Sequence, residues 1–201
     1  MNSGLKKAFL AAALAALEPA FSQSTTPTNT PAPTIQDRKE NQQDRIANGA
    51  KSGELTAGET KNLEGKEATL NQEERDMRKM DNGKLTASDR TTLKQQQNQL
   101  SKQIYQDKHN NAAQNTNPKT EVGKRQEKQQ DRIAQGIKSG QLTPGEAAHL
   151  ERREGAINKE VKTERAANGG TLTPAERRQV NRQENRTSKA IYRKKHNGRT
   201  Q

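Results

Sequence analysis

Large apolar residues are sparse along most of this chain, and where they occur they keep helical spacing. Leu63, Leu70 and Met77 lie seven apart, and Leu93, Leu100 and Ile104 follow by seven and four. Leu150, Ile157 and Val161, then Val180 and Ile191, repeat the pattern. Narrow seams of this period, set among charged and amide residues, predict long antiparallel helices joined by short turns. The turns are marked by a motif that occurs four times, Gly-x-Leu-Thr, at Gly53, Gly83, Gly140 and Gly170. Glycine takes the left-handed conformation that ends a helix. Thr56, Thr86, Thr143 and Thr173 then stand as N-caps, each with an acid three residues on: Glu59, Asp89, Glu146 and Glu176. That acid favours the positive helix end, and where it is Glu it can close a capping box. Pro144 and Pro174 occupy the first helical position, where a missing N–H costs nothing.

The motifs sit inside a larger repetition. Residues 42–110 align without gaps on residues 129–197 at an offset of 87, with 33 of 69 positions identical. Gln-Gln-Asp-Arg-Ile-Ala opens both copies, and Lys-His-Asn closes both. The fold class that follows is all-α: two tandem copies of a three-helix unit, flanked by disordered linkers. Helices are expected over about Ile35–Lys51, Ala57–Met80 and Ala87–His109 in copy one (35–110). In copy two (124–197) they are expected over about Lys124–Lys138, Pro144–Ala167 and Pro174–His196, with a linker at 111–123 and a tail at 198–201. Each copy has few large apolar residues, so each alone should be marginal. Packing between copies, self-association or a partner would help.

The N-terminus departs from this pattern. Lys6 and Lys7 precede an unbroken apolar run from Ala8 to Leu17, with small residues at Ala20 and Ser22. This reads as a secretory signal over 1–22, followed by a Thr/Pro-rich tether over 23–34. The run is too short for a permanent transmembrane helix, and no second run follows, so the mature chain should be exported, to the periplasm or beyond, without a membrane span.

Composition narrows the function. The 201 residues are 26% hydrophobic, 2% aromatic and 30% charged, with no cysteine, and both phenylalanines fall in the first 22 residues. A chain so poor in core-forming side chains is a thin helical assembly or a largely disordered chain rather than an enzyme with a deep pocket. Disulfides and thiolate chemistry are excluded. No His-x-x-x-His pair, nucleophile elbow or phosphate loop is present, so neither enzyme activity nor a cofactor is expected. His109 and His196 occupy matching positions at helix C-termini, where a cation complements the dipole and Asn110 and Asn197 can take the left-handed cap. The other acidic residues alternate with Lys and Arg as on a solvated surface.

Gly-x-Leu-Thr-x-x-Glu resembles the second half of an EF-hand calcium loop. The first half fails: loop positions one, three and five are Asn48, Ala50 and Ser52 for the first motif, and no acid fills them in any of the four. Calcium needs six to eight oxygens with several carboxylates, so no metal site is expected. Leu55-Thr56-x-x-Glu59 and its three counterparts also resemble the LTxxQ-motif proteins of the bacterial periplasm, with an acid in place of Gln. That resemblance implies a periplasmic setting and a stress-related or chaperone-like role.

Charge separates the two copies. Of the net +12, residues 111–201 carry +10 and residues 23–110 only +1. On the last helix Arg178, Arg182, Arg186, Lys189 and Arg193 fall within about 80° of one another, opposite Val180, Thr187 and Ile191. Their counterparts in copy one are Thr91, Gln95, Gln99, Lys102 and Gln106. A one-sided stripe of cations is an electrostatic footprint for a polyanion. No aromatic residue interleaves it, so base stacking is not indicated. For an exported chain an anionic envelope polymer or lipid headgroup fits better than chromosomal DNA.

Overall fold

A computed structural model describes residues 31–199. The chain divides between Ala32 and Pro33, and the unit from Pro33 onward carries six helices. They are α1 (Ile35–Ser52), α2 (Ala57–Met80), α3 (Ala87–Lys108), α4 (Glu121–Lys138), α5 (Pro144–Ala167) and α6 (Pro174–Lys195). The architecture is all-α, with no strand among the described residues. The expected signal over 1–22 and all but the last residues of the tether lie outside the described residues.

Local chemistry starts the helices. Thr56, Thr86, Thr143 and Thr173 are the N-caps of α2, α3, α5 and α6, and each shares a reciprocal capping box with the acid at the third helical position. Asp89 closes its box as fully as the glutamates do, taking the Thr86 N–H at 2.8 Å. Thr34 and Asp37 form a fifth box at the head of α1, so the final residue of the expected tether serves as a cap. Thr120 caps α4. This moves the start of α4 three residues ahead of the expected Lys124, because one capping hydroxyl on the Gly123 N–H (3.2 Å) suffices to admit Gly123 into the first turn. The expected left-handed asparagines are corrected too. His109 and His196 are the C-caps of α3 and α6, and Asn82 is the one non-glycine with positive φ among the described residues. The Asn110 and Asn197 side chains instead donate to Glu59 (2.6 Å) and Glu146 (2.7 Å), which ties the end of the third helix of each copy to the head of the second.

The first turn of each copy is also a packing device. Leu55 and Leu142 fold back onto the preceding helix, their N–H groups donating to the carbonyls of Gly49 and Gly136 at 3.0 Å in both cases. A Cβ at Gly136 would lie 2.6 Å from Leu142 Cγ and Cδ1, both in a fully buried side chain. Gly136→Ala should therefore destabilise the protein by about 1–3 kcal/mol through overpacking. Gly65 lies inside α2 with nothing within 4 Å of an added Cβ. Gly65→Ala should stabilise by about 0.4–1 kcal/mol, because it removes backbone freedom from the unfolded chain. Urea unfolding of the two variants should move the midpoint in opposite directions. Movement in one direction would contradict the packing argument.

The two copies share one body. α2 makes its most extensive contact with α5, and α1 packs on α4, so four helices drawn equally from both copies form the centre. α3 packs on α1 and α2, and α6 on α4 and α5. Ala47 of copy one joins Ile133, Ile137, Leu150 and Ile191 of copy two in a single cluster. A second cluster gathers Ile46, Leu55, Leu63, Leu100 and Ile104, and a third Val122, Ile157, Val161, Leu172 and Val180. The expected disordered linker at 111–123 is corrected as well. Gln114 donates its N–H to the Gly53 carbonyl (2.9 Å), and its side chain accepts from the Ala57 N–H (3.2 Å). The connection therefore satisfies a free donor at the head of α2.

One part of the core overturns the solvated-surface reading of the acids. Glu64, Glu67, Glu151, Glu154 and Glu184 are buried, at 0–1% exposure. Four of the five lie on the central helices α2 and α5, and Glu184 lies on α6.

Candidate anion-binding face

α6 presents its apolar and polar sides as its sequence period requires. Val180, Glu184, Thr187 and Ile191 point into the body. Gln179 and Gln183 reach Glu160 of α5, while Asn181 and Asn185 receive Arg125 of α4. Between these two contacts the outer side of the helix carries Arg178, Arg182, Arg186, Lys189 and Arg193, all exposed. None of the five side chains forms a hydrogen bond or ion pair with another described residue, so no described group neutralises their charge at contact distance. The matching positions of α3, Thr91, Gln95, Gln99, Lys102 and Gln106, are exposed as well. At these five exposed positions the copies thus differ by four charges.

The structure adds a neighbouring element that the stripe alone did not suggest. A groove of about 530 Å³ runs beside α6 along α4, lined by Arg125, Lys128, Gln129, Asp131, Arg132 and Ser188. Arg132 donates to the Ser188 hydroxyl at 2.7 Å, and the Arg125 Nε lies 3.0 Å from a Glu184 oxygen, so both are held against α6. Lys128 is exposed, and copy one has Asn41 in its place. The spacing of Arg125, Lys128 and Arg132 marks one face of α4, and that was visible in the sequence. Their approach to α6 was not. At the far end of the stripe Tyr192 is 64% exposed and stacks on His196, ring centroids 4.3 Å apart. Tyr105 and His109 make the same stack in copy one, so the aromatic pair does not distinguish the copies.

The remaining sequence candidates are structural in their contacts. The Glu59 carboxyl is pushed up by burial, but the Thr56 N–H, Asn110 and the Thr56 hydroxyl outweigh this and hold it below its usual range. Glu146 behaves alike, with Asn197, Thr143 and Lys194 as the opposing groups. The Thr173 N–H holds Glu176 down, and the Thr86 hydroxyl and N–H hold Asp89 down. In an EF-hand reading these four carboxylates would be the final calcium ligands, and all four are engaged in caps. Calorimetry with millimolar calcium should show no saturable heat; a micromolar site would mean that the caps yield to the ion. Among the described residues no group of three His, Cys, Asp or Glu is placed to hold a metal ion, and no helix is long and apolar enough to cross a membrane.

No protein family, curated protein or solved structure matches the chain.

Proposed function

We propose that this is an exported, non-enzymatic helical binding protein whose basic second copy engages an anionic envelope component through the outer face of α6. The observation that carries this reading is the set of five exposed cations with no partner among the described residues, four of them replaced by neutral residues at exposed positions in copy one. Lys128 extends the positive surface onto α4. Export is supported by the basic start and the apolar run from Ala8 to Leu17. The chaperone-like alternative needs an apolar surface for clients. The exposed large apolar side chains among the described residues are Met80, Tyr105 and Tyr192, spread over three helices, and this favours electrostatic binding instead.

The test is co-sedimentation of residues 23–201 with vesicles of phosphatidylcholine alone or mixed with phosphatidylglycerol, beside retention on a soluble acidic polysaccharide. Binding to the mixed vesicles only identifies the lipid headgroup, and retention by the polysaccharide only identifies the polymer. Absence of both, at low salt, would refute the reading.

A further inference from the structure

The four central helices meet around carboxyl groups. Glu64 and Glu67 lie one turn apart on α2, and Glu151 and Glu154 occupy the matching positions on α5, the helix that α2 contacts most. All four are buried in the body formed by the two copies. Few donors serve them. The Gln43 amide reaches Glu64 at 3.3 Å, and Gln130 reaches both oxygens of Glu151 at 2.7 and 2.9 Å. The Oε1 atoms of Glu64, Glu67 and Glu154 take no hydrogen bond from any described group. A buried ionised carboxylate without donors is among the costliest groups a core can hold, whereas a protonated carboxyl supplies its own donor.

We propose that the contact between the two copies is a proton-operated latch, closed while Glu64, Glu67, Glu151 and Glu154 hold protons and loosened when they ionise. The charged groups around the cluster are few. From α1 Lys39 opposes the charge of Glu67, and from α4 Arg132 opposes that of Glu154. From α6 Glu184 adds a like charge to Glu154; burial raises Glu184 itself to about 7 against the opposing Arg125, so it titrates alongside the four. On α3 the position matching Glu184 is the uncharged Gln97. Burial, reinforced by Glu67 and Glu151, raises Glu64 well above the carboxylate range, and burial with Glu151 and Glu184 does the same to Glu154. Burial brings Glu67 to about 7 and Glu151 to about 8.

The direction follows by linkage. These groups bind protons more tightly in the folded than in the unfolded chain. Their contribution is fully present below the ordinary glutamate range and is lost as pH rises through about 7 and 8. His149, lowered by burial and by Lys194, Arg153 and Arg152, acts in the opposite sense, adding stability as pH rises through the ordinary histidine value of about 6.5, and so offsets part of the loss between pH 6 and 8.5.

The experiment is urea unfolding of the full chain at pH 6 and pH 8.5. The unfolding constant should rise at least about tenfold between them, the effect of one pKa unit at a single group. In the variant Glu64→Gln, Glu67→Gln, Glu151→Gln, Glu154→Gln most of that rise should vanish. A flat wild-type response, or an equal rise in the variant, would overturn the proposal. Should the variant not fold, a carbon-13 titration of the wild-type glutamate carboxyls decides instead. At least four titrating above pH 6 support the latch, and fewer than four refute it. Opening itself is read from nitroxides at Lys66→Cys and Arg153→Cys, exposed positions on α2 and α5 of a chain with no cysteine of its own. Their distance should broaden at pH 8.5 with helicity retained. An unchanged distance, or loss of helicity together with the distance, would overturn the latch.

Discussion

Replacing Arg178, Arg182, Arg186 and Arg193 by Gln should remove most of the salt-sensitive adsorption of residues 23–201 to an anionic surface. Each cation near such a surface contributes about 1 kcal/mol, so four contribute about 4 kcal/mol, nearly three orders of magnitude in affinity. The variant should keep its helicity, because Gln and Arg have similar helix propensities and the four side chains form no hydrogen bond or ion pair with another described residue. Wild-type binding should fall as salt rises, since exposed charges are screened over about 8–10 Å near physiological ionic strength. The reciprocal experiment places Arg at Thr91, Gln95, Gln99 and Gln106, which are exposed on α3 as their counterparts are on α6. That variant should gain binding. If the loss variant bound like wild type and the gain variant bound no better, the stripe would be an ordinary solvated face. A loss without the corresponding gain would assign the specificity to α4, where Lys128 and the groove beside α6 have no full counterpart in copy one.

Removing all four threonine caps should be the most damaging change that leaves the core untouched. In Thr56→Ala, Thr86→Ala, Thr143→Ala, Thr173→Ala, four hydroxyls that accept the N–H groups of Glu59, Asp89, Glu146 and Glu176 at 3.1–3.3 Å are lost. Each substitution costs about 0.5–2 kcal/mol. Each cap hydroxyl bonds only within its own box, so the costs should nearly add, to about 2–8 kcal/mol. A domain typically has about 5–15 kcal/mol in total. Thr56 and Thr143 should account for the larger part, because they are half-buried where Thr86 and Thr173 are exposed. Their partner acids also hold Asn110 and Asn197, which anchor the ends of α3 and α6. Thermal melting followed by circular dichroism checks this, and an unchanged melting temperature would refute the capping account. The cap carboxylates also set the acid limit. Their folded pKa values are depressed, so their contribution is present above the ordinary carboxylate range and is lost as pH falls through the folded values. With the buried glutamates acting in the opposite direction at higher pH, stability should be greatest in the mildly acidic range.

What the sequence determined by itself is whatever depends on neighbours along the chain. A threonine with an acid three residues on, after a Gly-x-Leu stop, can be satisfied within one turn of backbone, and it marks the start of α2, α3, α5 and α6 without knowledge of the rest. The positive stripe was equally legible, because helical period alone places Arg178, Arg182, Arg186, Lys189 and Arg193 on one side. The tertiary structure decided what those helices meet. The apolar seams are too sparse to name their partners, so the pairing of α2 with α5 and the approach of α4 to α6 could not be read from spacing. The same sparseness hid the buried carboxyls. Glu64 and Glu151 stand among charged residues like any surface acid, and only their repetition with Glu67 and Glu154 at the 87-residue offset marked them. Whether a carboxyl lies in water or in a core depends on what packs against its helix from far away in the chain, and local sequence does not encode that.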